Sequence, residues 1–203
     1  MKKLVLATRN KHKIIELQTL LKGLGVEILT LNDFPNHPPL VEDGATFKDN
    51  ALKKARTVFA YTKLPTLADD SGLEVFFING RPGIHSARYA KPSGDKGTEN
   101  SSDEKNNEKL LAEMRGVAPR RRRAQFTAVL ALVGPSYEET TEGVCPGRLG
   151  ESPRGTGGFG YDPIFIPDGY KKTFAELGEE EKNKIGHRAR AAEKMREVLK
   201  KRV

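Results

Sequence analysis

The sequence contains no tryptophan and a single cysteine, Cys145. One cysteine excludes an internal disulfide and a metal site built from several cysteines, which is typical of proteins in a reducing compartment. The sequence also lacks an apolar run near the roughly 20 residues that a membrane span needs. The apolar stretch from Leu4 to Ala7 is too short for a signal peptide and predicts an opening strand. We therefore expect a cytoplasmic protein with no membrane partner.

The composition favours one globular domain with a basic surface. Of the 203 residues, 36% are hydrophobic and 31% are charged, which is polar but not typical of disorder. The net charge of +8 favours a polyanionic partner. Charge alone does not distinguish nucleic acid, an acidic membrane and a phosphate-rich small molecule. We predict a single domain over residues 1–203, close to the length at which a chain divides into two lobes.

Two adjacent carboxylates, Asp69 and Asp70, lie between β-prone segments at Thr66 to Ala68 and Leu73 to Phe77. The pattern predicts that the first strand ends at a turn in which Gly72 adopts strained backbone angles. Two interpretations stay open. The stretch is an ordinary turn, because aspartate, serine and glycine favour turns, or it is a Mg²⁺ site, because neighbouring carboxylates supply the hard oxygen ligands that this ion prefers.

A polar loop links the opening strand, Lys3 to Ala7, to a segment with apolar residues at helical spacing. Thr8 or Asn10 can cap this helix. Its free N–H groups, together with Arg9 and Lys13, would then bind phosphate. The alternative is that these residues only cap the helix and keep the loop soluble.

A second predicted helix begins at Thr46, after a proline-rich loop. Asn50 and Lys54 are four residues apart and therefore share one face of it. Either this polar face is solvated, which is the commoner case, or it borders the same site as Glu42, which would then be a further metal carboxylate.

The most unusual stretch covers residues 155–165 and contains four closely spaced glycines. Such spacing indicates backbone that approaches a ligand. Phe159 and Tyr161 would be exposed aromatic residues beside Asp162, as expected where a planar base stacks. A flexible hairpin is the alternative.

The remaining elements are predicted from their periodicity. Residues 125–133 are apolar on both faces and predict a central strand covered by helices, with residues 138–145 as its neighbour. The four arginines at 120–123 favour an exposed strand entry over a nucleic-acid patch, because no aromatic residues are interleaved. Residues 91–107 predict a polar surface segment, followed by a helix near 108–115.

A closing amphipathic helix is predicted from about Ala189 to Lys200. His187 and Arg188 lie at its start. Such a pair is usually a surface feature, and the alternative is that both side chains face a cleft.

Six segments, taken in their order and spacing, match one known family. They are Thr8-Arg9-Asn10 with Lys13; Phe47 with Asn50, Ala51, Lys54 and Ala55; Ala68 to Leu73; Gly83 to Tyr89; Gly155 to Phe165; and His187-Arg188. Together they resemble the HAM1/inosine triphosphate pyrophosphatase family over nearly the whole chain. Gly186 stands where that family usually has serine, which affects one local hydrogen bond or helix cap.

The resemblance implies an α/β fold with a mixed, elongated central sheet flanked by helices. It also implies two lobes with an active-site cleft between them, and a homodimer. The implied activity is Mg²⁺-dependent hydrolysis of ITP, dITP and XTP to the nucleoside monophosphate and pyrophosphate, which cleanses the nucleotide pool. No stable nucleic-acid partner is expected.

The resemblance also implies roles for individual residues. Asp70 would accept the proton of the attacking water and bind Mg²⁺, and Glu42 would be a further metal ligand. The substrate would be bound by Thr8, Arg9, Asn10, Lys11, His12, Lys13, Ser71, Phe159, Gly160, Tyr161, Asp162, Lys182, His187 and Arg188. Selectivity for a 6-oxo purine requires donors facing O6, because an amino group there would leave those donors unpaired.

Two other functions remain as alternatives. A nucleic-acid-binding protein would explain the net charge, but it requires a continuous basic face. A phosphatase with an aspartyl nucleophile is disfavoured, because no Asp-x-Asp pair follows a strand.

Overall fold

The computed structural model describes residues 2–91 and 100–202. The strands are β1 (Lys2–Leu6), β2 (Val26–Thr30), β3 (Thr66–Val75), β4 (Arg123–Gly134), β5 (Tyr137–Leu149) and β6 (Phe165–Pro167). The helices are α1 (Lys11–Leu20), α2 (Phe47–Thr62), α3 (Asp103–Glu113), α4 (Phe174–Ile185) and α5 (His187–Arg202). Within these described ranges, no helix combines the length and the apolar character that a membrane crossing needs.

The strands form one sheet in the order β2-β1-β3-β4-β5-β6. β1 is parallel to both β2 and β3, with Leu4 opposite Ile28 and Leu6 opposite Leu67, whereas β6 is antiparallel to β5. Parallel neighbours need long crossover connections, and α1 and α2 supply them. The predicted mixed α/β sheet flanked by helices is confirmed.

The chain divides into two compact units, and the first comprises Met1–Asp70, Ala128–Gly143 and His187–Val203. Its core is formed by side chains of β1, α1 and α5 and by the parts of β3 and β4 that belong to it. The fully or almost fully buried residues are Leu4, Leu6, Leu17, Leu21, Leu67, Ala128, Leu130, Leu132, Ala191, Ala192, Met195 and Leu199.

The second unit comprises Ser71–Thr127 and Val144–Gly186. Three phenylalanines anchor its core: the ring centroids of Phe126 and Phe165 are 4.7 Å apart, and those of Phe165 and Phe174 are 5.3 Å apart. The single bilobed domain over residues 1–203, and the cleft between its lobes, stay predictions.

The predicted turn at residues 69–72 is wrong, because β3 continues from Thr66 to Val75. Gly72 does not adopt a positive φ. The turn propensity of these residues is overridden because the strand is central and the carboxylates of Asp69 and Asp70 are buried and paired with cations.

Two polar segments are also more structured than predicted. α3 begins five residues before the expected start, capped by Ser102, and it buries Asn106 and Asn107; part of the predicted surface segment, residues 92–99, lies outside the described residues. The four-arginine run is not all exposed either. Arg122 is buried and donates to the carbonyl oxygens of Met114, at 2.8 Å, and Gly150, at 2.6 Å.

Candidate active site

The loop after β1 caps helix α1. The side-chain oxygen of Asn10 accepts a hydrogen bond from the N–H of Lys13 at 3.2 Å, and the N–H of Asn10 donates to Oγ1 of Thr8, also at 3.2 Å. The predicted cap is therefore confirmed for Asn10. The remaining N–H groups of the first turn and the positive end of the helix dipole favour an anion at this corner.

Asp69 joins this loop to the start of α5. Its Oδ1 lies 2.5 Å from Nζ of Lys13, and its Oδ2 accepts from Nε of Arg188 at 2.9 Å. The guanidinium of Arg188 also pairs with Glu16 on α1. Asp69 is fully buried, and Glu16 and Arg188 are almost so. Two carboxylates and two cations thus form one chain of ion pairs inside the first unit.

The two cations keep Asp69 ionised. Burial acts to raise the pKa of Asp69, but the charges of Arg188 and Lys13, and their hydrogen bonds, outweigh it and hold this pKa far below its usual range. Burial likewise acts to lower the pKa of Arg188, and the charges of Asp69 and Glu16 raise it instead. Asp69 is therefore an anchor for cations rather than a group that exchanges protons.

Asp70 faces a different partner, Lys54 of α2. Successive side chains of a strand point to opposite faces, so Asp69 and Asp70 enter different networks. Nζ of Lys54 donates to Oδ1 of Asp70 at 2.8 Å, to Oε1 of Glu42 at 2.5 Å and to the backbone oxygen of Asp69 at 2.7 Å. Lys54 is 4% exposed and Asp70 is 6% exposed. One buried ammonium group thus holds both predicted metal carboxylates.

The pKa of Asp70 is shifted in the opposite direction from that of Asp69. Burial raises the pKa of Asp70; the charges of Lys54 and Lys13 act to lower it, and the charge of Glu42 acts to raise it. The pKa of Lys54 is raised because Asp70 and Glu42 together outweigh the effect of its burial. A carboxylate with a raised pKa is a better proton acceptor than an ordinary one.

Asn50 fixes the proline-rich loop against α2 and Asp70. Its Oδ1 accepts from the N–H of Gly44 at 2.7 Å, and its Nδ2 donates to Oδ2 of Asp70 at 3.2 Å. A side chain at position 44 would not fit, since its Cβ would lie 2.7 Å from Cβ of Asp49. The interpretation that the polar face of α2 is solvated is wrong, because Asn50 and Lys54 are buried and Lys54 contacts Glu42. The metal role of Glu42 stays a prediction.

The donor set around Lys54 fits a hard divalent cation. Glu42 and Asp70 offer two carboxylates beside a backbone oxygen, and in this structure a cationic group already lies among these three oxygens. Among the described residues, no cluster of three or more His, Cys, Asp or Glu side chains has the geometry of a metal site. Two carboxylates are sufficient for Mg²⁺, because this ion keeps several waters and takes substrate phosphate oxygens as ligands.

The predicted base-binding residues belong to the second unit. Nζ of Lys182 lies 2.6 Å from Oδ2 of Asp162 and 4.3 Å from the ring centroid of Phe159. The N–H of Phe159 donates to the same carboxylate oxygen at 2.9 Å. Gly158 has a φ of +75° and no space for a side chain, since a Cβ there would overlap this carboxylate.

The prediction that Tyr161 is an exposed aromatic is wrong. Its ring is 3% exposed and belongs to the core of the second unit, and its hydroxyl donates to the backbone oxygen of Ser86 at 2.9 Å. Phe159 is half-buried instead. The glycine-rich segment thus alternates between a partly accessible ring and a core residue, because Gly158 and Gly160 turn the chain with positive φ.

The same segment is tied to α3. The N–H of Gly160 donates to Oδ2 of Asp103 at 2.6 Å, and Nδ2 of Asn107 donates to the oxygen of Gly160 at 2.9 Å. A cavity of about 1180 Å³ lies between α3 and the glycines, with Phe159 and Gly160 in its wall. Its volume exceeds that of a typical small-molecule pocket.

The remaining predicted residues fall into three groups. Thr8 and Ser71 are half-buried, Arg9, Lys11 and His12 are exposed, and His187 is buried at the first position of α5. The position of His187 depends on a close approach of α5 to β5, because a Cβ on Gly143 of β5 would overlap the backbone oxygen of His187.

Gly186, where the resemblance leads us to expect serine, ends α4. Its N–H donates to the backbone oxygen of Lys182 at 2.8 Å, and a Cβ at this position would lie 2.5 Å from the same oxygen. The helix end in this chain is therefore shaped for glycine.

Sequence reasoning missed Glu16, and it considered Asp69 only as one carboxylate of a Mg²⁺ site, not as the partner of Lys13 and Arg188. The available signal for Glu16 was its position one helical turn after Lys13, on the face that carries the buried Leu17. Its partner Arg188 is 172 residues away in the chain, and no local pattern reveals such a pairing.

Comparison with known proteins agrees with the predicted resemblance. The model of the Ham1 family matches residues 4–198. The dITP/XTP pyrophosphatase of Geobacter sulfurreducens is 48% identical over 200 residues, which is 98% of this chain and 97% of that protein. The Ham1 protein of Staphylococcus aureus has a structure that superposes with a TM-score of 0.86, at 34% identity and with 100% of both chains covered.

A second solved structure gives the same result. The protein described as a nucleoside-triphosphatase and dITP/XTP pyrophosphatase of Mycobacterium abscessus superposes with a TM-score of 0.75, at 42% identity, covering 95% of this chain and 98% of that one. The family match and the similarity extend over almost all of the sequence. The chain therefore belongs to the Ham1 family.

Proposed function

We propose that this protein hydrolyses dITP, XTP and ITP to the nucleoside monophosphate and pyrophosphate. Full-length similarity to proteins named dITP/XTP pyrophosphatase supports an enzyme of the nucleoside triphosphate pyrophosphatase class. The observation that carries the proposal is the buried Lys54, which brings the carboxylates of Glu42 and Asp70 together, next in the chain to Asp69, the partner of Lys13 on α1.

The triphosphate would be bound at the loop from Thr8 to Lys13. The N–H groups of the first turn of α1 and the charge of Lys13 oppose the negative charge of the phosphates. Lys13 is held by Asp69 at 2.5 Å, and its side chain is 15% exposed, so it is fixed in place yet accessible. Arg9 and Lys11 add positive charge at the exposed side of the loop.

Asp70 is the proton acceptor in this proposal. The oxygen of a water molecule forms a new bond to the α-phosphorus, and a proton of that water passes to the Asp70 carboxylate. The phosphoanhydride bond between the α- and β-phosphates breaks, so that pyrophosphate leaves. Asn50 and Lys54 fix the carboxylate at 3.2 Å and 2.8 Å, which limits its freedom to a productive orientation.

Asp70 and Glu42 would hold Mg²⁺, as the donor set allows. When bound, the ion would neutralise charge that develops on the leaving pyrophosphate.

The base would be held by Phe159 and Asp162 of the second unit. That His187 and Arg188 contact the substrate stays a prediction, and both side chains are buried. The close contact of Lys182 with both Phe159 and Asp162 supports a rigid platform. The side chain of Tyr161 is excluded from stacking, since it is buried in the core. The homodimer and the cytoplasmic location stay predictions.

Product analysis tests this proposal. The purified protein is incubated with dITP, XTP, ITP, ATP or GTP, with Mg²⁺ or with a chelator, and pyrophosphate and orthophosphate are measured separately. We expect pyrophosphate from the first three substrates, slow hydrolysis of ATP and GTP, and no activity with the chelator. Equal rates on all five would disprove the selectivity, and orthophosphate as the first product would disprove the reaction type.

A further inference from the structure

His37, in the proline-rich loop before α2, holds the side chain of Arg9 in the predicted phosphate loop. Nε of Arg9 donates to Nε2 of His37 at 3.2 Å, and Nη2 of Arg9 lies 2.9 Å from the same nitrogen. Arg9 is exposed, whereas His37 is only 8% exposed. A buried ring therefore fixes one edge of an otherwise solvent-facing guanidinium.

The partners of His37 assign its tautomer. A guanidinium only donates hydrogen bonds, so Nε2 of His37 must be the acceptor. The other ring nitrogen, Nδ1, lies 2.6 Å from the backbone oxygen of Pro38, which only accepts. The ring proton is therefore on Nδ1, and the imidazole is neutral in this arrangement.

The loop that carries His37 is well supported. Pro35, Pro38 and Pro39 restrict its backbone, and the N–H of His37 donates to the oxygen of Phe34 at 3.1 Å. Further along, the same loop supplies Glu42 to Lys54. One stiff segment thus contacts both the phosphate loop and the carboxylate network.

We propose that His37 is a positioning residue that presents Arg9 to the substrate triphosphate. This inference rests on the proposed function. The edge of the guanidinium formed by Nε and Nη2 is used by His37, and the donors on Nη1 remain for a phosphate oxygen. A free arginine would lose rotamer freedom when the substrate binds, whereas Arg9 has already lost it.

Two substitutions at His37 separate positioning from packing. His37→Leu fills the space but removes the acceptor, whereas His37→Gln offers an amide oxygen near the place of Nε2. For XTP hydrolysis we expect His37→Leu to raise KM about tenfold with kcat within about twofold of wild type, because Arg9 acts on binding. His37→Gln should restore KM to within about twofold. Asn36→Leu, at the exposed neighbour of His37 in the same loop, is the matched control and should change neither constant.

A double-substitution cycle provides the second test. Because His37 acts through Arg9, His37→Leu should have no further effect in an Arg9→Ala background. The proposal is overturned if His37→Leu leaves KM unchanged, or if KM in His37→Gln is as high as in His37→Leu. Full additivity of the two substitutions in the cycle would also overturn it. Thermal denaturation confirms that each variant is folded.

Binding of inorganic triphosphate, measured by calorimetry with Mg²⁺, makes failure of this inference distinguishable from failure of the proposed function. Binding that weakens about tenfold in His37→Leu and recovers in His37→Gln supports the inference even if the wild-type protein releases no pyrophosphate from dITP or XTP. Binding that is equal in all three proteins contradicts it, even if hydrolysis is as proposed.

Discussion

Asp69 and Asp70 are neighbours on β3, yet their carboxylates are paired with different cations and their pKa values shift in opposite directions. Asp69 pairs with Lys13 and Arg188, and Asp70 pairs with Lys54. The alternation of a β-strand produces this division, because it sends one carboxylate to α1 and α5 and the other to α2. Adjacent residues of the same type thereby acquire different tasks: Asp69 anchors cations, and Asp70 is suited to accept a proton.

Lys54 is predicted to be essential for stability as well as for activity. Lys54→Met removes the ammonium group and leaves Asp70 and Glu42 without it, so we expect the free energy of unfolding to fall by about 3 kcal/mol. Urea denaturation measures this change. Lys53→Met is the matched control, because its pair with Asp43 is exposed and should contribute less than about 1 kcal/mol. Equal losses in the two variants would contradict a structural role for the buried pair.

Glu16 is predicted to hold Arg188 in place. Glu16→Gln keeps the shape of the side chain but removes its charge. Of the two carboxylates that pair with Arg188, Glu16 and Asp69, only Asp69 then remains. We expect a loss of about 2 to 3 kcal/mol in stability, together with a clear decrease in kcat/KM for XTP. Glu197→Gln, which affects an exposed pair with Lys200, is the control and should be close to wild type. A Glu16→Gln protein with unchanged stability would show that the pairing is not significant.

Gly143 is predicted to be required by the approach of α5 to β5. Its Cβ would overlap the backbone oxygen of His187, so Gly143→Ala must displace the helix start that carries His187 and Arg188. We expect a loss of about 2 kcal/mol or more, detectable as a lower Tm. The control is Gly150→Ala, where a Cβ would meet its neighbours at 3.4 Å or beyond. If Gly143→Ala and Gly150→Ala both have the same Tm as wild type, the close approach of α5 to β5 does not constrain the helix.

Local patterns were enough to predict several elements and their caps. Helical periodicity and capping chemistry located α1 with Asn10 and α2 with Thr46, and the apolar run at residues 125–133 predicted the buried strand β4. These signals depend on residues within a few positions of each other. Motif order and spacing, rather than any single residue, predicted the family.

The errors have one physical cause, which is that burial overrides local preference. Residues 69–72 favour a turn in isolation, but pairing with distant cations keeps them in a strand. Asn106 and Asn107 look solvent-facing and are buried, and Tyr161 lies in a glycine-rich segment but belongs to the core. The pairing of Asp69 with Arg188 joins positions 119 residues apart, so only the folded chain reveals it.

Asp70 is predicted to accept the proton of the attacking water. Asp70→Asn is nearly isosteric but removes one charge from the buried pair with Lys54, so we expect a folded protein whose free energy of unfolding is lower by about 2 to 3 kcal/mol. Pyrophosphate release from XTP by the two folded proteins, under saturating substrate and Mg²⁺, is the direct measurement. We expect Asp70→Asn to lower kcat by about a hundredfold or more. A kcat within a fewfold of wild type would contradict it.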